Sequence, residues 1–119
     1  RRWRRTMKWR RKEVKKLDVP KIEGVVKKED FKVERVSITD GYGRVGFYLA
    51  ICYKGIPLWR TLDSNLDKYK FYLYDPRKYA VEDPFVLVCV DGYGDLFTYG
   101  NWKTLKEALE WLEDPKPLY

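Results

Sequence analysis

Phe85-Val86-Leu87-Val88-Cys89-Val90 is followed at once by Asp91-Gly92-Tyr93-Gly94, and this stretch decides the fold. Six consecutive apolar residues are too few for a core helix, and a turn signal closes them, so they read as a strand buried on both faces. The turn leads into Leu96 to Tyr99, which makes the pair a hairpin. Val45 to Tyr53 repeats the pattern. It too is nearly all apolar, and Asp40-Gly41-Tyr42-Gly43 precedes it. Tyr48 and Tyr99 hold the same offset from the two turns, which fits either an internal duplication or the same turn chemistry used twice.

Outward from these two strands the chain alternates strands and turns. Phe31 to Ile38 has strand-forming residues, but its inward parity changes between Phe31/Val33 and Val36/Ile38, and a bulge near Glu34–Arg35 accounts for that. Gly55-Ile56-Pro57 turns the chain into a short strand, Leu58 to Leu62. Tyr69 to Tyr74 is a further strand. The chain ends in a helix. Thr104 with Glu107 makes a capping box, Leu105, Ala108, Leu109 and Leu112 form the apolar face, and Pro115 stops it. Glu113 and Asp114 sit at the end where the helix dipole disfavours acids.

The fold class expected is α+β: a small antiparallel sheet or partly closed barrel of about five to six strands, with a C-terminal helix and a basic, helix-compatible N-terminal arm. The expected organisation is an arm at 1–18, a linker at 19–29 and a body at 30–119. Two strands apolar on both faces need two covers, and one helix gives one. The second cover is the arm, closure of the sheet, or a partner chain.

The arm dominates the electrostatics. Residues 1–16 hold ten cations (Arg1, Arg2, Arg4, Arg5, Lys8, Arg10, Arg11, Lys12, Lys15 and Lys16) against Glu13 alone, a charge of +9. Residues 17–119 therefore carry −2 of the chain's net +7. At 100° per residue Trp3, Met7, Val14 and Leu17 fall on one narrow stripe, interrupted by Arg10, while Arg1, Arg4, Arg5, Lys8, Arg11, Lys12 and Lys15 cover the opposite face with Lys16 at its edge. Dense cations displace the counterions condensed on nucleic acid, Arg adds bidentate phosphate contacts, and Trp3 and Trp9 offer rings for base stacking. A charge run is ordinarily a solvated face, but ten cations to one acid exceeds what solubility needs. A membrane surface is the rival polyanion, disfavoured by so thin a stripe.

A second candidate set is Lys70, Tyr72 and Tyr74, which alternate onto one side of a strand, with Arg77 and Lys78 after it. Basic and aromatic residues on one strand face suit single-stranded bases. The plainer reading, which we prefer, is that Tyr is a good strand former with a wet end.

Catalysis is not expected. The chain has no His, so the usual Ser–His and Cys–His pairs are excluded. No glycine-rich phosphate loop is present. Asp40, Asp91, Asp95 and Glu82 follow no motif that would place a nuclease metal, and the acids near Asp91 are too few for a calcium loop. No metal or cofactor is expected. Cys52 and Cys89 read as small buried residues, with a disulfide as the alternative. The lack of Gln and the presence of only Asn65 and Asn101 as amides give a thermophile-like composition.

The function expected is nucleic-acid binding, RNA rather than DNA, as a peripheral ribosomal or other ribonucleoprotein component in the cytoplasm. The alternative is a protein–protein module, an inhibitor or assembly factor.

Overall fold

The computed structural model describes residues 20–79 and 82–118. It contains strands β1 (Lys21–Ile22), β2 (Phe31–Thr39), β3 (Val45–Tyr53), β4 (Ile56–Thr61), β5 (Lys70–Tyr74), β6 (Phe85–Val90) and β7 (Leu96–Trp102), then helix α1 (Leu105–Glu113). Short 3-10 turns at Lys28–Asp30, Leu66–Lys68 and Pro76–Lys78 join them.

The class is α+β, but the strands form neither one sheet nor a barrel. They make a four-stranded sheet in the order β1-β5-β6-β7 and a separate three-stranded sheet, β2-β3-β4, all antiparallel. The break falls between β4 and β5. Asp63-Ser64-Asn65 leads into a 3-10 turn in which Asn65 Oδ1 accepts the Asp67 amide at 2.9 Å, and the chain leaves β4 without pairing β5 to it.

The core lies between the two sheets, with α1 filling the rest of that layer. Phe31 stacks on Phe71 with ring centroids 3.8 Å apart. Trp111 sits 5.8 Å from Tyr53, 5.7 Å from Tyr99 and 5.2 Å from Trp102. From β6, Phe85, Leu87 and Cys89 point into this cluster. Both cysteines are free and buried, Cys89 in the core cluster and Cys52 on the other face of β3, opposite Lys32.

Four further expectations are corrected. The β2–β3 register runs without a shift from Phe31↔Tyr53 to Thr39↔Val45, so there is no bulge at Glu34–Arg35. The apolar residues change face because the distal half of the hairpin extends past the core: Val36 is half-buried on the outer face, and Ile38, Val45 and Phe47 are exposed. The shifts fall instead between Ile51 and Cys52, against β4, and between Phe85 and Leu87, against β7. Second, β3 is buried on both faces only from Ala50 to Tyr53. Third, the β3–β4 turn is Lys54-Gly55, both left-handed at φ 48° and 88°, the geometry of a two-residue primed hairpin. Fourth, the face of α1 is Ala108, Trp111 and Leu112, with Leu105 half-buried, while Leu109 is exposed. The Trp111 ring packs on Tyr53, Tyr99 and Trp102, and its indole donates to the Lys116 carbonyl at 2.8 Å.

The capping box forms as expected. Thr104 Oγ1 accepts the Glu107 amide at 3.1 Å, and Glu107 Oε1 accepts the Thr104 amide at 3.1 Å. At the other end, Lys54 Nζ donates to the Leu112 carbonyl at 2.9 Å. The cation that the last turn of α1 lacks is thus supplied from the β3–β4 turn. Within the stretch expected as a linker, β1 pairs with β5, and Ile22, Val25 and Val26 pack against the core.

Candidate nucleic-acid interface

The twelve arm residues singled out above, Arg1 to Lys16, lie outside the described residues. The point where the chain leaves them is well defined. The Pro20 carbonyl accepts the Asp75 amide at 2.9 Å, and Lys21 stands opposite Tyr74 in the β1–β5 ladder. The root of the arm is therefore tied to the border of the four-stranded sheet, beside β5.

The second candidate set is on β5 and just after it. Alternation sends Phe71 and Leu73 into the core, so Lys70, Tyr72 and Tyr74 share the outer face. Lys70 is exposed and the two tyrosines are half-buried. Lys21 joins them across the ladder, its Nζ 4.3 Å from the centre of the Tyr72 ring. That residue escaped the sequence reading, because a two-residue strand has no periodicity to find. Burial pushes the Tyr74 hydroxyl above its ordinary pKa, with Asp83, Tyr79 and Asp75 adding to the shift, so the phenol stays neutral.

Arg77 and Lys78 sit in the adjoining 3-10 turn rather than on the strand. Asp75 organises it: Oδ1 accepts the Arg77 amide at 3.1 Å and Nε at 2.8 Å, and Oδ2 accepts Nη2 at 2.7 Å. The side-chain hydrogen bonds from Arg77 hold the Asp75 carboxyl below its usual range, and the same bonds raise the guanidinium. Asp75 offsets the Arg77 charge, which leaves less of it for an outside phosphate. Lys78 Nζ is 5.6 Å from the Tyr79 ring centre. The structure thus brings Lys70, Tyr72 and Tyr74 together with Lys21 and sets Arg77 and Lys78 apart in the turn.

The two Asp-Gly-Tyr-Gly turns are built alike. Asp40 Oδ1 accepts the amides of Tyr42 and Arg44 at 2.8 and 3.0 Å, and Asp91 Oδ1 accepts those of Tyr93 and Asp95, both at 2.9 Å. The Arg44 and Tyr42 amides hold the Asp40 carboxyl below its usual range. These carboxylates serve their own turns, and among the described residues no three His, Cys, Asp or Glu side chains are grouped to hold a metal. Each turn leaves its tyrosine, Tyr42 or Tyr93, exposed at the tip.

Another concave surface lies between the sheets. A cleft of about 550 Å³ opens at Trp59, Leu62, Tyr69 and Phe97, with Asp63 and Asp91 also lining it. The Trp59 indole donates to the Thr98 carbonyl at 3.1 Å, tying β4 to β7, and Leu62 is 98% exposed. Asp63 is 3.8 Å from Lys68 Nζ. What the cleft offers a visitor is mainly apolar contact.

No helix among the described residues is long and apolar enough to cross a membrane. No protein-family model, curated protein or solved structure matches this chain.

Proposed function

We propose that this chain is a nucleic-acid-binding accessory protein, RNA favoured over DNA, acting in the cytoplasm at the periphery of a ribonucleoprotein such as a ribosome. The observation that carries the reading is the division of charge: +9 in residues 1–16 against −2 in all that follows. The arm supplies the phosphate contacts, and Lys21 and Lys70 extend the positive surface at its root. The near-neutral body holds the arm in place.

The test is a binding titration across ionic strength with single-stranded RNA, duplex DNA and polyphosphate. If about six of the arm cations engage phosphate, log K falls with log salt at a slope of about −4 on single strands and about −5 on duplex. Replacing Arg4, Arg5, Lys8 and Arg11 by Gln makes the slope shallower by about three to four units. Affinity indifferent to salt would sink the proposal.

The alternative, a protein–protein module, is favoured by one observation. The inter-sheet cleft places Leu62 and Phe97 in solvent beside Trp59, and exposed apolar surface of this kind marks interaction sites. Recovery from the source cell with a stoichiometric protein and no nucleic acid supports that reading over the first.

A further inference from the structure

The cleft between the sheets is walled by rings whose polar ends are already used. Trp59 and Thr61 pair with Ile51 and Leu49 on the inner side of β4, and Phe97 stands opposite Cys89 in the β6–β7 ladder. With Tyr69 they line a volume of about 550 Å³, within the range of small-molecule sites. The Thr61 hydroxyl accepts the Asp63 amide, lies 3.1 Å from the Asp63 carbonyl and lies 3.1 Å from the Tyr69 hydroxyl. Its single proton goes to the carbonyl, so Tyr69 donates to Thr61. The Trp59 indole N–H is spent on the Thr98 carbonyl. What these rings present to a visitor is π surface.

The fixed charge of the cleft has one sign. Asp63 and Asp91 line it. Arg60 lines it too, but its guanidinium lies 4.6 Å from the centre of the Tyr48 ring, on the other side of the sheet. Asp91 gives Oδ1 to the amides of Tyr93 and Asp95 and pairs with no cation among the described residues. Asp63 has Lys68 Nζ at 3.8 Å, beyond hydrogen-bond length. Aromatic faces are the negative part of the ring quadrupole. Rings and carboxylates therefore attract the same visitor, a cation with an apolar body.

We propose that this cleft binds a small organic cation, an ammonium group on an apolar or aromatic body, with the charge held by the Trp59, Tyr69 and Phe97 rings and by Asp63 and Asp91. Lys68 is the internal competitor: the ligand takes its place beside Asp63. Leu62, exposed at the mouth, closes on the apolar body. An anion meets two carboxylates here, and a neutral ligand gains only the apolar contact.

The test titrates the full chain, methyl-labelled at Leu and Ile, with benzyltrimethylammonium, benzyl alcohol and phenylacetate, which share a ring and differ in charge. The expected result is saturable shifts of the Leu62 and Ile51 methyls and of the Trp59 indole N–H with the ammonium, and affinity about tenfold weaker or worse for the other two. Asp63→Asn with Asp91→Asn keeps the turn acceptors, weakens ammonium binding about tenfold and leaves benzyl alcohol unchanged. Phe97→Leu keeps the apolar area, loses the ring and lowers ammonium affinity. Lys68→Met removes the competitor and tightens binding about threefold. Equal affinity for the three probes would reduce the cleft to plain apolar surface and overturn the proposal. So would a preference for phenylacetate, shifts centred on Lys21 and Tyr72, or no saturable shift at all. No polyanion is present and no arm residue is varied, so this experiment can fail while salt-dependent RNA binding stands, and the reverse.

Discussion

Gly100 shows how little room single positions leave. It lies in β7 where the register against β6 shifts, and its φ is +88°. A Cβ there would collide with the Trp102 ring. Gly100→Ala combines left-handed strain with overpacking and costs about 2–5 kcal/mol, read as a lowered midpoint in denaturant. Tyr53 makes a different point. Its hydroxyl donates to the Leu112 carbonyl at 2.9 Å, and burial, with Asp30 adding, pushes its pKa from the ordinary 10.0 up to about 12. The folded value is the higher one, so the neutral phenol's contribution is complete below pH 10 and is lost as pH climbs from 10 toward 12. Tyr53→Phe costs about 1 kcal/mol at neutral pH and flattens the alkaline decline of stability over that window. An unchanged decline in the variant would assign it elsewhere, first to Cys89, which burial also raises to about 12.

At the scale of elements, the helix face gives the sharpest comparison. Trp111 touches Tyr53, Tyr99 and Trp102, whereas Leu109 is 37% exposed. Trp111→Ala costs about 3–5 kcal/mol, and Leu109→Ala well under half as much. Equal thermal shifts would mean that α1 is rotated from the position described. Sequence periodicity chose Leu109 because Leu is the commoner core residue and the stripe at 105, 108, 109 and 112 is nearly as good as that at 105, 108, 111 and 112. What separates the two is tertiary: the Trp111 ring packs on Tyr53, Tyr99 and Trp102, and its indole donates to the Lys116 carbonyl. What was legible was local chemistry: the Thr104–Glu107 box, the bounds of β6, the two Asp-Gly-Tyr-Gly turns and the alternation of β5. What was not legible was long-range. Nothing near Leu62 announces that β4 and β5 belong to different sheets. Nothing near Lys21 shows that two residues of an expected linker pair with Tyr74 and Leu73. The parity change in β2 suggested a bulge because the sequence does not say where the core ends.

For the whole molecule, the charge division sets what the body can contribute. Lys21 already lies over Tyr72 and 3.9 Å from Glu23, and Lys70 is exposed. Replacing both by Gln lowers RNA affinity and makes the salt slope shallower by no more than about one to two units, against three to four for the quadruple arm variant. A larger change from the pair would move the main phosphate contact from the arm to the sheet. The candidate site was legible in the sequence as charge, since Arg and Lys need no fold to be counted. The neighbours of its root were not, because Lys21 and Tyr74, paired in the β1–β5 ladder, lie far apart in the sequence.

β2 forms one edge of its sheet, nine residues long. Its first half is guarded by Lys32, Glu34 and Arg35, side chains that are costly to bury against another chain. Its second half, Val36-Ser37-Ile38-Thr39, has no charge and projects beyond the core, and among the described residues no strand pairs with its outer side. Such a segment is a template on which a stranger's strand can lengthen the sheet. The hazard grows with concentration and heat, and it sets a ceiling on how densely this protein can be stored without self-association.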